Sequence, residues 1–551
     1  MSFTTRFVSS LEKVFCSPEL PADPIESVSG ARGETVAFQL ACRSESNSVI
    51  EIRAESEIAE FLTMREVGLV PCLMPAMPDD PFVLTSRAGV FPDPLLPLEG
   101  NRMRLTRGNW HAVWCSIRIP EDMKPGMYEI RFTGTMPETP FSPPGALHHA
   151  ASFSVEVLPF RLPKQRLLSV NWFYADCVQA YYRVPCWSER HWELLEQYFR
   201  NMVRHGINVI LTPLWSVPLD TAVGHERPTV QLLDISFADG VYRFDFSRLE
   251  RWIATARRAG FEYFEMAHAF TQWGAKAAPK IVVKENGVEK KRFGWHVPAD
   301  SPEYRDFLTS LAQQLIPFLK KQGLTPENTF FHVSDEPTPD VADSYEYASR
   351  LLRSLIGGYP VIDALSDVEF CRRGLIRRPV PATTRLEDFR GEDLEQRWVY
   401  YCGNWEHGVP NRQFGMPSAR NRVLGVLLYV YGIDGFLNWG YNFWFTQHSL
   451  NWHIDPYSVT DAGRAFCGGG AFMVYPGKDG PVDSLHYEVF AEGLQDLRAL
   501  RLLESEIGRE ETLKVIQEGV EHPISMTHYP HDAQWLPELR KRIDRRICAC
   551  L

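Results

Sequence analysis

The sequence has no basic block. Its 58 Lys and Arg are outnumbered by 69 Asp and Glu, giving a formal charge of −11. Such a chain repels nucleic acid and anionic lipid, so neither is an expected partner. No apolar run approaches the ~18 residues of a membrane span. The amino-terminal MSFTTRFVSSLEKVF lacks an apolar stretch followed by a small-residue cleavage site. The 11 cysteines are odd in number and scattered, and no zinc-type CxxC pair occurs. Cys548 and Cys550 make only a C-x-C, while Cys42 and Cys115 sit at apolar positions and read as small hydrophobes. A reducing cytoplasm is the expected location. Neither a closely spaced set of metal ligands nor a GxGxxG after a strand is present, so no metal and no cofactor is expected.

What remains is the profile of a folded protein. Hydrophobic residues make up 44% and charged residues 23%, and 551 residues exceed one ordinary core, so two or three domains are expected. Residues 1–163 alternate with period two. Val36, Phe38, Leu40 and Cys42 share one face, as do Val113, Cys115, Ile117 and Ile119. With Pro and Gly between runs, this predicts a half-buried antiparallel β-sandwich.

From residue 164 to 510 short apolar runs alternate with amphipathic helices. Eight strand-like runs follow one another: LLSVNWFYAD, INVILTPLW, FEYFEMAH, NTFFHVSDEP, PVIDALSD, RPVPATT, RWVYYCG and GFLNWGYNFW. Ser188 and Ser301, the latter followed by Pro302, read as helix caps, and Gly260 as a helix end. Eight βα units predict a (β/α)8 barrel of the TIM type behind the sandwich; a doubly wound open sheet is the competitor. Residues 511–551 read as a helical extension packed beneath the barrel.

Barrel enzymes act at the carboxy-terminal ends of their strands. Those ends carry Tyr174 and Asp176, then His268 with Gln272 and Trp273 beyond it, then Asp363 and Asp367, then Tyr400 and Tyr401, then Asn438, Trp439, Tyr441 and Asn442. Carboxylates, amides, phenols and indoles suit a neutral, hydroxyl-rich ligand, so a carbohydrate is the expected partner. A lone His268 is more often a hydrogen-bonded support than a catalyst, any single Trp is more often packing, and Asp363 has a helix cap as its alternative.

The fourth run ends in Asp335 and Glu336, side by side before Pro337. Two buried carboxylates this close raise one pKa, which suits a general acid. Pro337 disfavours helical angles at Glu336, so an extended Glu336 is expected. A solvated helix cap is the alternative. Ordinary glycosidases use two separated carboxylates, yet the seventh run carries no acid before Glu406. Substrate-assisted hydrolysis instead needs two acids close together, one to orient the sugar's 2-acetamido group and one to move the proton.

FHVSDEP, ERPTVQLLD, GYPVIDALSD, MPSARNRVLG, GFLNWGYNFW and YPGKDGPVDSLHYEVFAEGLQDLRALRLLE together resemble the catalytic domain of glycoside hydrolase family 123. The resemblance implies a retaining, substrate-assisted β-N-acetylgalactosaminidase without metal or organic cofactor. By that resemblance Asp335 orients the acetamido group and Glu336 is the acid/base, while Trp439, Tyr441 and Asn442 line the sugar subsite. Three rivals stay open: a β-GlcNAc-preferring relative, a carbohydrate-binding protein that has lost catalysis, and a hydrolase with a distant nucleophile, Glu406 or Glu265.

Overall fold

The computed structural model describes residues 3–136, 147–401 and 407–551. Among the described residues up to 161, two five-stranded sheets form. One runs in the order Phe3–Ser9, Thr35–Ser44, Trp110–Arg118, Leu62–Cys72, Gly89–Pro97. The other runs Ser27–Arg32, Leu147–Arg161, Gly126–Met136, Ser48–Glu55, Arg102–Leu105. Pairing is antiparallel except between Ser27–Arg32 and Leu147–Arg161. The faces read from the alternation meet between the sheets: Phe38 stacks on Phe153 with ring centroids 3.9 Å apart, and Val36, Leu40, Val113 and Ile117 pack with Ile130 and Val155.

The first sheet is not half-buried as the alternation suggested. Its second face, with Ala37, Ala41, Ala112 and Trp114, belongs to the core shared with the rest of the chain. Small residues there let the following domain approach closely. Buried ion pairs fix the contact. Arg65 donates to Asp483 and to Glu488, each at 2.6 Å. Arg540 grips Glu34 at 2.7 and 2.6 Å. Arg420 forks onto Asp80 at 2.6 and 2.7 Å, with both side chains out of solvent. Removing one partner of such a pair strands the other charge. Asp80→Ala is therefore expected to lose about 3–5 kcal/mol of stability, read as a lower thermal midpoint.

Eight short parallel strands follow, labelled β1 (Leu168–Asn171), β2 (Val209–Thr212), β3 (Tyr263–Met266), β4 (Thr329–Phe330), β5 (Asp363–Ala364), β6 (Pro379–Val380), β7 (Trp398–Tyr401) and β8 (Gly435–Asn438). Each of the eight runs read from the sequence contains one of them. Six make a continuous sheet in the order β4-β3-β2-β1-β8-β7, and β5 pairs with β6. Parallel bridges join Phe331 to Val361 and Ala382 to Tyr400, linking the two sheets at both edges. All but one of the residues in these strands are buried, which is why they read as apolar runs without alternation.

The helices between them start and stop where the caps indicated. Ser188 accepts the His191 N–H and Ser301 the Tyr304 N–H. Gly260, at φ 110°, ends helix Ser247–Ala259. A four-stranded sheet from Asp234–Ala238, Val241–Asp245, Ile281–Glu285 and Val288–Phe293 was not anticipated. Its hairpin signals, Asp239-Gly240 and Asn286-Gly287, stand in the sequence with positive φ at both residues of each turn. The final helix, Trp535–Ala549, packs on helix Leu485–Ile507 and also on the sandwich strand Leu147–Arg161. Among the described residues no helix is long and apolar enough to cross a membrane.

Candidate active site

The chain leaving β4 is held on both sides. Ala269 N–H donates to His332 O at 3.0 Å and Phe270 N–H to Val333 O at 2.9 Å, so pairing with the β3 side continues past the strand. Trp273 N–H then donates to Asp335 O at 2.7 Å, and Glu336 N–H donates to Ala364 O at 2.9 Å. Glu336 is not extended as Pro337 suggested: its φ is 43°, in the left-handed region. The tie to Ala364 turns the backbone there. Both carboxyl groups consequently line one cavity, which a straight strand would have sent to opposite faces.

The cavity holds about 270 Å³. That is near the small end of ligand sites, about 300–1,000 Å³. Trp172, Trp273, Trp439 and Phe466 give it apolar walls. Among the described residues the buried Trp172 indole N–H has no hydrogen-bond partner. Tyr400 donates its hydroxyl to Glu336 Oε1 at 2.5 Å. Among the described residues nothing donates to the Asp335 carboxylate. Burial, and then the charge of Glu336, push its pKa well above the ordinary carboxylate value.

Under the acids lies a closed ionic group. His332 meets Glu265 Oε2 at 3.1 Å on one ring nitrogen and Asp363 Oδ1 at 3.3 Å on the other. Asp363 also accepts the Val333 N–H at 3.0 Å and the Tyr345 hydroxyl at 2.7 Å. All three charged side chains are out of solvent. Burial opposes a charge on His332, but its bonds to Asp363 and Glu265 outweigh that and raise its pKa to about 9. His268 stacks on His332 at 4.2 Å. Burial and the neighbouring His332 hold His268 well below the ordinary histidine value.

The sequence matches the family model "Glycoside hydrolase 123, catalytic domain" over residues 172–503. The chain belongs to glycoside hydrolase family 123. It is a glycosidase. A solved family 123 glycoside hydrolase from Clostridium perfringens, studied for glycolipid glycan hydrolysis, superposes at a TM-score of 0.74. Identity is 13%, over 99% of this chain and 98% of that one, so the likeness is one of fold. A family 5 mannosidase from Rhizomucor miehei matches at 12% identity over 64% of this chain and 95% of its own, with a TM-score of only 0.35. No curated protein matches.

In this family 123 glycosidase the residues expected at the site divide into two groups. Asp335, Glu336, Tyr174, Gln272, Trp273, Tyr400 and Trp439 share the cavity. The others lie outside it. Asp176 is buried against Arg227, accepting at 2.7 and 2.9 Å. His268 and Asp363 support the floor described above. Tyr401 points away and donates to Asn421 at 3.1 Å; its neighbour Tyr400 is the cavity residue. Asn438 bonds Asn171 and Gly440 O. Tyr441 donates to Asn201 at 2.8 Å. Asn442 clasps the Tyr174 backbone at 2.8 and 3.0 Å. Of the distant nucleophile candidates, Glu265 is locked to His332, and Glu406 lies outside the described residues. The sequence reading passed over Trp172, Asp220, His448 and Phe466, which also line the cavity.

Proposed function

We propose that this glycosidase removes a terminal β-linked N-acetylhexosamine, β-GalNAc in the first place, with retention and with the substrate's acetamido group as nucleophile. We read residues 164–510 as a (β/α)8 catalytic barrel, residues 1–163 as its sandwich and residues 511–551 as a packed extension. The two bridges that join β4 to β5 and β6 to β7 support the barrel.

The observation that carries the mechanism is the Asp335 carboxylate, with no donor among the described residues, beside a Glu336 oriented by Tyr400. A part-buried carboxyl without a protein donor is costly unless a ligand supplies one. An acetamido N–H is such a donor. In the first step the acetamido oxygen attacks C1, the glycosidic C1–O bond breaks, and Glu336 gives its proton to the leaving oxygen. Asp335 accepts the N–H and balances the positive charge that develops on the oxazoline-like ring. In the second step Glu336 takes a proton from water, the water oxygen attacks C1, and the C1–O bond to the acetamido oxygen breaks. Two displacements at C1 return the β configuration. The distant-nucleophile route needs a facing carboxylate, and Glu265 is bound elsewhere.

The test is hydrolysis of 4-nitrophenyl β-GalNAc, β-GlcNAc and β-Gal, with NMR of the first-formed anomer. We expect both acetamido sugars to be cleaved ahead of β-Gal, β-GalNAc fastest, giving the β-anomer first. Equal cleavage of β-Gal, or the α-anomer first, would sink the mechanism.

A further inference from the structure

Asp220 is a third carboxylate on the cavity wall, and the steps above leave it without work. It follows β2 and sits against His448 from the loop beyond β8. Asp220, His448 and Ser449 have φ of 41°, 60° and 55°, a conformation non-glycine residues seldom take. The two loops hold each other there. His448 N–H donates to Asp220 Oδ2 at 3.0 Å, and Ser449 Oγ–H donates to the Asp220 backbone O at 2.7 Å. Ala222 N–H donates back to His448 O at 3.1 Å.

The side chains themselves stop short of bonding. Asp220 Oδ1 lies 3.6 Å from His448 Nδ1, beyond hydrogen-bond reach. Among the described residues Nδ1 has no hydrogen-bond partner although it is out of solvent. Strained backbone thus holds an acceptor and a ring nitrogen side by side at the cavity wall. A hydroxyl fits that pair, because it can donate to the carboxylate and accept from an Nδ1–H at once. Burial, with the charge of Glu336 adding to it, pushes the Asp220 carboxyl up to about 6. A donor from the ligand is what would hold it ionised.

We propose that Asp220 and His448 bind the hydroxyl groups on the C4–C6 edge of the sugar and so select between epimers at C4. The inference rests on the function proposed above. There Glu336 takes the oxygen on C1 and Asp335 the group on C2. Asp220 bonds neither acid, and C4 is the ring carbon opposite C1. The two acids and Asp220 line the same cavity of about 270 Å³, so one ring placed there lies against all three.

The experiment compares wild type with Asp220→Asn on 4-nitrophenyl β-GalNAc and on its 3-, 4- and 6-deoxy analogues. Asn keeps the size and tolerates the left-handed backbone. A lost charged hydrogen bond predicts a fall in kcat/KM of about 50-fold on the parent sugar. On the 4-deoxy or the 6-deoxy analogue the same substitution is expected to cost less than about 3-fold, because the contact is already gone. His448→Asn should repeat the pattern, and serves if the first variant does not fold. Equal losses on all four sugars, or sparing on the 3-deoxy sugar alone, would overturn the proposal. Complete loss on all four with rescue by azide would make Asp220 a nucleophile and overturn it too. Failure of wild type on every acetamido sugar would instead remove the function on which it stands.

Discussion

Glu336→Gln is expected to lower kcat/KM on a poor leaving group, such as a methyl or disaccharide β-GalNAc glycoside, by about 10³- to 10⁴-fold. The reason is geometric. Glu336 has its backbone turned by the tie to Ala364, and the Tyr400 hydroxyl at 2.5 Å fixes one oxygen. The carboxyl, oriented by that bond, carries the proton to the leaving group. On a dinitrophenyl glycoside, whose leaving oxygen needs no proton, the loss should shrink to about 10-fold or less. Asp335→Asn should behave differently. It leaves only a neutral amide oxygen to accept the acetamido N–H, and it removes the charge that steadies the cyclic intermediate. A loss of about 10²- to 10³-fold is expected on good and poor leaving groups alike. The contrast between the variants is the informative result. If both losses followed leaving-group ability, or neither did, the two acids would not hold separate roles.

The contrast bears on what a sequence can show. Buried parallel strands have both faces covered, so β1 to β8 stood out as unbroken apolar runs, and two acids at the end of such a run could not be hidden. Finer placement failed for reasons of one residue. Tyr400 and Tyr401 are adjacent in β7, and only register decides which faces the cavity. The run GFLNWGYNFW leaves its strand after Asn438, so Trp439 reaches the cavity while Tyr441 and Asn442 turn into the core. Asp176 finds Arg227, a partner 51 residues on, which no local pattern announces. Asp220 and His448 sit in left-handed loops with no period at all, and only the fold brings them together. The hairpins at Asp239-Gly240 and Asn286-Gly287 were legible by turn chemistry; attention to βα alternation concealed them.

His332→Gln is expected to cost the most stability of any change near the site, about 3–5 kcal/mol near pH 6, because it strands Glu265 and Asp363 in the core without a counter-charge. The same residue gives the protein a pH dependence with a definite sign. In the unfolded chain a histidine titrates near its ordinary 6.5, and in the fold His332 is raised to about 9. The folded state therefore binds the extra proton. Its contribution is complete below about 6.5 and disappears as pH rises through about 9. At 1.36 kcal/mol per pKa unit, that contribution is worth roughly 3 kcal/mol. Thermal midpoints of wild type should fall between pH 6.5 and 9.5, and those of the variant should be lower at pH 6 and flatter across the window. A wild-type midpoint that stays level there, with the variant parallel to it, would mean that His332 is neutral. Catalysis supplies a second readout, since the charge on His332 lowers the pKa of Asp335. Without it Asp335 ionises later, and the acid limb of the kcat/KM profile should move to higher pH. A group that only filled space beneath the acids would leave that limb where it was.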